Sequence, residues 1–207
     1  DLKNHHGQPQ GMYGADEHLH GNNPNKGSEF CSTTELMYSL EKMIAITGDT
    51  DFADYLELIT FNALPAQASD DFNTRQYFQS ANQVMLTRSN RNFEMNHGHK
   101  ATDVVFGKFT GYTCCTANMH QGWPKFTQNL WYATSDNGLA ALVYSPSSVN
   151  AKVGNGVEIK ITEKTNYPFD DNIKLHFESK ENVQFPLHLR IPKWCDSPSF
   201  KINGKKI

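Results

Sequence analysis

The residues best equipped for chemistry sit in two short stretches far apart in the chain. One is Glu29-Phe30-Cys31; the other is the vicinal pair Cys114-Cys115 in "GYTCCTANMH". Together they hold three of the four cysteines in the sequence. A disulfide between neighbours closes a strained ring, well short of the usual Cα separation of ~4.4–6.8 Å, so the adjacent thiols ask for another explanation. In an extended stretch, residues i and i+2 share a face. Glu29 and Cys31 would then point together just ahead of a helix, where negative charge is favoured and a thiol becomes more acidic. With Cys114 and Cys115 presented from a bend after Gly111, one carboxylate and three sulfurs supply the four ligands that zinc takes. Three thiolates and a carboxylate around a dication make an electron-rich site. Such a site is a poor Lewis acid and is better suited to presenting a weakly held, nucleophilic sulfur. Spacing alone leaves other readings open: a structural zinc, a redox pair that forms a vicinal disulfide, or thiols buried as small apolar groups. The histidine pairs His5-His6, His18-x-His20 and His97-x-His99 are either further ligands or solvated loop residues.

The rest of the composition narrows the class. A chain of 207 residues with net charge -3 has room for one large or two small domains and gives no sign of a nucleic-acid partner. Nine histidines and 12% aromatic residues suit a small-molecule or sugar site. No apolar run is long enough to span a membrane. The chain opens at Asp1 rather than at Met and reads as part of something longer.

These residues must be positioned by the elements around them. The stretch from His5 to Gly27 is rich in Gly, Asn, Pro and His and reads as loop. In "SEFCSTTELMYSLEKMIAITGD" the apolar residues recur at helical spacing. Ser32 and Glu35 form a capping-box signature, and Gly48 stands where a helix would stop. "TDFADYLELITFNAL" repeats the pattern after a short link, which predicts an antiparallel αα-hairpin, the unit of helical barrels and solenoids. "RQYFQSANQVM" reads as extended, and "HQGWPKFTQNLWYAT" as a helix with Pro124 near its start. From Leu139 the period becomes two. "LAALVYSP", "GVEIKITEKTNYP", "NIKLHFES", "FPLHLRIPKW" and "SFKING" read as strands of an all-β, sandwich-like unit. Cys195 falls in one of these as a plain core or surface thiol.

Taken in order, "GADEHLHGNNPNKGSEFC", "GYTCCTANMHQGWPKFTQNLWYAT" and "LHLRIPKWC" resemble the bacterial β-L-arabinofuranosidases of glycoside hydrolase family 127 and their relatives in family 146. The resemblance implies mixed α and β structure in separate units: the C-terminal part of an (α/α)6 barrel over 1–134 and the start of a β-sandwich over 135–207. It implies a retaining glycosidase acting on terminal L-arabinofuranosides or related plant-polysaccharide sugars. It further implies Zn2+ held by Glu29, Cys31, Cys114 and Cys115, with Cys114 as nucleophile and Glu17 as acid/base, Asp16 being the alternative. His97, His99, Tyr112, Asn118 and Trp123 are candidates for the sugar-facing wall from composition and nearness in sequence. Thr116, Ala117 and Gln121 depart from the family pattern, which usually has Pro after the pair and Arg soon after; the departure implies different sugar contacts and leaves the sugar itself open. The implied partner is an oligosaccharide or glycoside, with no nucleic acid and no membrane; homo-oligomerisation and a periplasmic or cytoplasmic location stay open.

Overall fold

A computed structural model describes residues 1–88 and 101–207, and they divide into two compact units, Asp1–Asn129 and Leu130–Ile207. Among the described residues no helix is long and apolar enough to cross a membrane.

The first unit is built around helix α2 (Phe30–Thr47), which packs against α3 (Thr50–Leu58), α5 (Cys114–Met119) and α6 (Gly122–Gln128). Phe30, Met37, Leu40 and Ile44 of α2 are buried. Their spacing of three and four residues places an apolar stripe on one face. The helix ends where expected: Gly48 takes a left-handed φ of 67° and its N–H bonds to the Ile44 carbonyl at 2.8 Å. The start differs from the sequence expectation. The cap is Glu29 rather than Ser32, and the helix begins three residues sooner. The reason is that Glu29 closes a short strand, β1 (Gly27–Glu29), paired antiparallel with β2 (Phe78–Ser80), and the chain turns directly from sheet into helix. Helix α3 is capped by the Asp49 side chain, which accepts from Asp51 N–H at 2.9 Å. It runs on through a π-helical turn (Ile59–Ala63) into α4 (Leu64–Ala66). The N-terminal loop also contains an unforeseen short helix, α1 (Leu2–His6).

Two features lock β1 in place. The Gln67 side chain, fully buried, accepts from Thr33 Oγ1 at 2.7 Å and donates to the Ser28 carbonyl at 2.9 Å, tying α2 to β1. Gly27 lies so close to its neighbour that a Cβ there would sit 1.7 Å from Cδ1 of Phe78.

The second unit holds two three-stranded sheets. In one, β4 (Leu139–Ala141) lies between β3 (Trp131–Ala133), antiparallel, and β8 (Leu187–Leu189), parallel. In the other, β5 (Ser147–Val153), β6 (Val157–Lys164) and β7 (Lys174–Ser179) form an antiparallel meander. A small hairpin, β9 (Lys201–Ile202) and β10 (Lys205–Lys206), follows. Leu139, Val153, Ile159 and Ile161 form the core, with Trp131, Leu175, Phe185 and Leu187 packed on it. Strand β5 was not expected, because "SSVNAKV" is mostly polar; its alternate exposure shows the period of two that the residue types obscure. The helix expected through Thr134 instead ends at Gln128, where Trp131–Ala133 joins the sheet. Cys195 follows a turn closed by its N–H on the Pro192 carbonyl at 2.9 Å and is not part of a strand.

Glu163 is buried on β6, where its carboxylate accepts from Ser145 N–H at 3.1 Å and Ser147 Oγ at 3.3 Å. Burial outweighs these bonds and raises its pKa to about 7. A carboxyl raised in the folded state holds its proton there while the unfolded chain has lost it. Its contribution is therefore fully present below about pH 4 and is lost as pH rises through about 7. Unfolding titrations of wild type and Glu163→Gln should show a stability difference that changes by roughly 2–3 kcal/mol between mildly acidic and mildly alkaline pH; parallel curves would contradict the raised pKa. Gly27→Ala should destabilise the first unit by roughly 1–3 kcal/mol through overpacking on Phe78, read as a lower Tm.

Candidate metal and catalytic site

Glu29 ends β1 and Cys31 stands in the first turn of α2, so the pair straddles a strand-to-helix junction instead of lying along one extended face. Cys114 and Cys115 are the first two residues of α5, and that helix packs against α2. One metal-binding atom from each of the four residues lies within 4.8 Å of every other. Cys31 Sγ is 3.3 Å from Cys115 Sγ, and Glu29 Oε1 accepts from Cys114 Sγ at 3.5 Å and from Cys115 Sγ at 3.6 Å. A tetrahedral zinc with ordinary sulfur and oxygen bond lengths has ligand–ligand edges of about 3.5–3.8 Å. The donor set and its spacing therefore fit one such ion.

The electrostatics point the same way. Cys31 is shifted strongly upward, first by its hydrogen bond with Cys115, then by burial and by the charges of Cys115 and Glu29. The Cys114 thiol is pushed up to about 12 by enclosure, with Cys31 and Glu29 adding to the shift. Four groups that would each be anionic cannot all ionise at such short range without a cation; a divalent cation reverses this and holds the thiols as thiolates. Burial is uneven. Glu29 and Cys115 are buried, Cys31 is half-buried, and Cys114 is exposed. The first sulfur of the pair is thus the one an incoming molecule can reach.

Other expected site residues are distributed differently. Glu17 is exposed in the loop ahead of β1. The side chain of Asp16 beside it is buried, 2.8 Å from His20 Nε2, and accepts from His18 N–H at 3.0 Å. His6 Nδ1 accepts from Gly21 N–H at 2.9 Å, so that histidine serves the loop's own fold. Tyr112 is partly exposed with its ring 5.1 Å from Tyr77. Asn118 accepts from Gln121 Nε2 at 2.8 Å on α5. Trp123 packs among Phe61, Phe72 and Phe126, with centroids 5.8–6.4 Å away. His97 and His99 lie outside the described residues.

Two residues around the cluster escaped the sequence reading, both in the stretch taken simply as extended. Tyr77 is buried, and its phenol is held neutral by burial and then by the charges of Glu29, Asp16, Cys115 and Cys114. Arg75 is fully buried and bonds to the segment that leads into the cysteine pair. The available signal was an Arg set among aromatic residues in an otherwise strand-like run.

Two family models match the chain: "β-L-arabinofuranosidase, GH127 catalytic domain" over residues 1–128 and "β-L-arabinofuranosidase, GH127 middle domain" over residues 138–207. Among solved structures, the chain is similar to Ara127N-Se, a GH127 β-L-arabinofuranosidase from Geobacillus stearothermophilus T6. The identity is 21% and the TM-score 0.76, over 96% of this chain and 31% of that one. A second structure, described as a glycoside hydrolase, matches at 18% identity and TM-score 0.68, over 100% of this chain and 37% of that one. The chain spans about a third of the length of these relatives. No curated protein matches it. The catalytic-domain match takes in all four residues of the cluster and more than half of the sequence, and the chain belongs to the GH127 β-L-arabinofuranosidase family.

Proposed function

We propose that this chain is the site-bearing part of a retaining glycoside hydrolase that removes terminal L-arabinofuranosyl or related plant-polysaccharide sugars. The observation that carries this reading is the convergence of Glu29, Cys31, Cys114 and Cys115 with only Cys114 exposed. On this reading the four residues hold Zn2+, which keeps the sulfurs deprotonated at neutral pH.

The chain's own residues then act as follows. The Cys114 sulfur attacks the anomeric carbon while the bond from that carbon to the leaving oxygen breaks. Glu17, as the carboxylic acid, gives its proton to that oxygen. Water next attacks the same carbon as Glu17, now a carboxylate, takes its proton; the carbon–sulfur bond breaks and Cys114 is restored. Two displacements give net retention, with a sulfur in the place of the usual second carboxylate. Exposure favours Glu17 over Asp16 for the proton transfers, and Asp16, bonded to His18 and His20, would fix the loop that carries it. Cys31 and Cys115 anchor the site from within.

The same proposal extends to architecture. The packed helices of the first unit would be the closing part of an (α/α)6 barrel, and the two sheets sharing one core in the second unit the start of a β-sandwich. The packing of α2 on α3 supports the first, the shared core of the sheets the second, and the fold similarity to the solved relatives is consistent with both.

Full-length protein should contain one zinc per chain by metal analysis. A chelator should make Cys31, Cys114 and Cys115 newly reactive toward a thiol reagent; reactivity that instead depends on a reductant would favour a vicinal disulfide. With aryl L-arabinofuranosides, Cys114→Ala should abolish turnover. Glu17→Gln should lower kcat about 10²–10⁴-fold while zinc content is unchanged, and aryl groups that leave without protonation should be spared in the first displacement. Unaltered activity in Cys114→Ala would sink the nucleophile assignment. Unaltered activity in Glu17→Gln alongside a loss in Asp16→Asn would move the acid/base to Asp16.

A further inference from the structure

Arg75 is an unusual residue to find fully buried, since a guanidinium cannot shed its charge and its desolvation must be offset by hydrogen bonds. Among the described residues no carboxylate is among its partners. Its bonds go instead to the segment on either side of the cysteine pair. Nη1 donates to the Thr110 carbonyl at 2.5 Å, and Nη2 to the Tyr112 carbonyl at 2.5 Å and Thr116 Oγ1 at 2.8 Å. Nε reaches the same Thr116 hydroxyl at 3.2 Å. Thr116 in turn donates to the Lys108 carbonyl at 2.5 Å. Arg75 is itself held by its backbone, exchanging bonds with Gly107 at 3.0 and 3.5 Å.

The opposite side of this segment is closed as well. Gly111 has φ of 59°, a conformation L side chains seldom adopt, and a Cβ there would lie 2.5 Å from Tyr77 Cβ. The segment from Thr110 to Thr116, which carries Cys114 and Cys115, is therefore gripped between a rigid fork and an aromatic wall.

We propose that Arg75 is the positioning residue for the thiolate pair, holding the start of α5 so that Cys114 and Cys115 meet Glu29 and Cys31 before any ion arrives. The planar fork is what matters, because it spans two carbonyls and a hydroxyl at fixed angles that a lysine ammonium cannot reproduce. Thr116 gains a specific part: its hydroxyl closes the fork. The zinc consequence rests on the metal-site reading above; the preorganisation itself does not.

The test uses full-length protein with Arg75→Lys and, as a second variant, Thr116→Val. In metal-free protein, alkylation followed by peptide mass analysis gives separate rates for each cysteine. Wild type should label exposed Cys114 far faster than buried Cys115. Both variants should raise the Cys115 rate at least ten-fold and leave Cys195, in the second unit, unchanged. In chelator competition the same variants should lose zinc at a chelator concentration at least ten-fold lower. With an aryl glycoside, kcat should fall and KM should stay within about three-fold. Unchanged Cys115 labelling in both variants would overturn the proposal. So would parallel rises at Cys195 and Cys115, which report general loosening. If wild type binds no zinc yet Cys115 labelling responds as stated, the metal reading fails and the positioning role stands.

Discussion

Everything near the cluster depends on one constraint: four groups able to carry negative charge are held within 4.8 Å of one another. At such distances mutual repulsion is large in any partly buried setting. The scaffold must oppose it with bonds made elsewhere. Gln67 joins β1 to α2 from beneath, and the β1–β2 pairing fixes Glu29 opposite Phe78. The neutral phenol of Tyr77 stands where a charged group would add to the strain.

The cluster is unevenly exposed. Glu29 and Cys115 are buried and Cys31 half-buried, while Cys114 is left at the surface. The neighbouring carboxylates show a similar split: Asp16 is turned inward against His20 and Glu17 outward. Adjacent carboxylates thus differ in setting, one held within the loop and the other exposed.

The residue types and order of the four cluster residues were legible in the sequence, as was the stop of α2 at Gly48, because each depends on local chemistry. The geometry that unites them was not. An E-x-C triplet suggests an extended face, but β1 pairs with a strand some fifty residues away and the chain turns into helix at once. That long-range pairing also displaced the cap from Ser32 to Glu29. Strand β5 hid behind polar residues because only one of its faces is covered. Arg75 hid for the opposite reason: a charged residue usually marks the surface, and only the carbonyls that converge on it make its burial tolerable. Trp123 looked like a sugar platform by type, yet three aromatic neighbours engage its ring.

The distance along the chain between the two ligand stretches has a consequence for assembly. Cys31 and Cys115 are 84 residues apart, so a bond network joining them closes a long loop. By the chain-entropy account of cross-links, such a closure removes about 4–5 kcal/mol of freedom from the unfolded ensemble. A metal bridging these residues would be a reversible staple, one that emerging chain could not close until its second cysteine motif had been made.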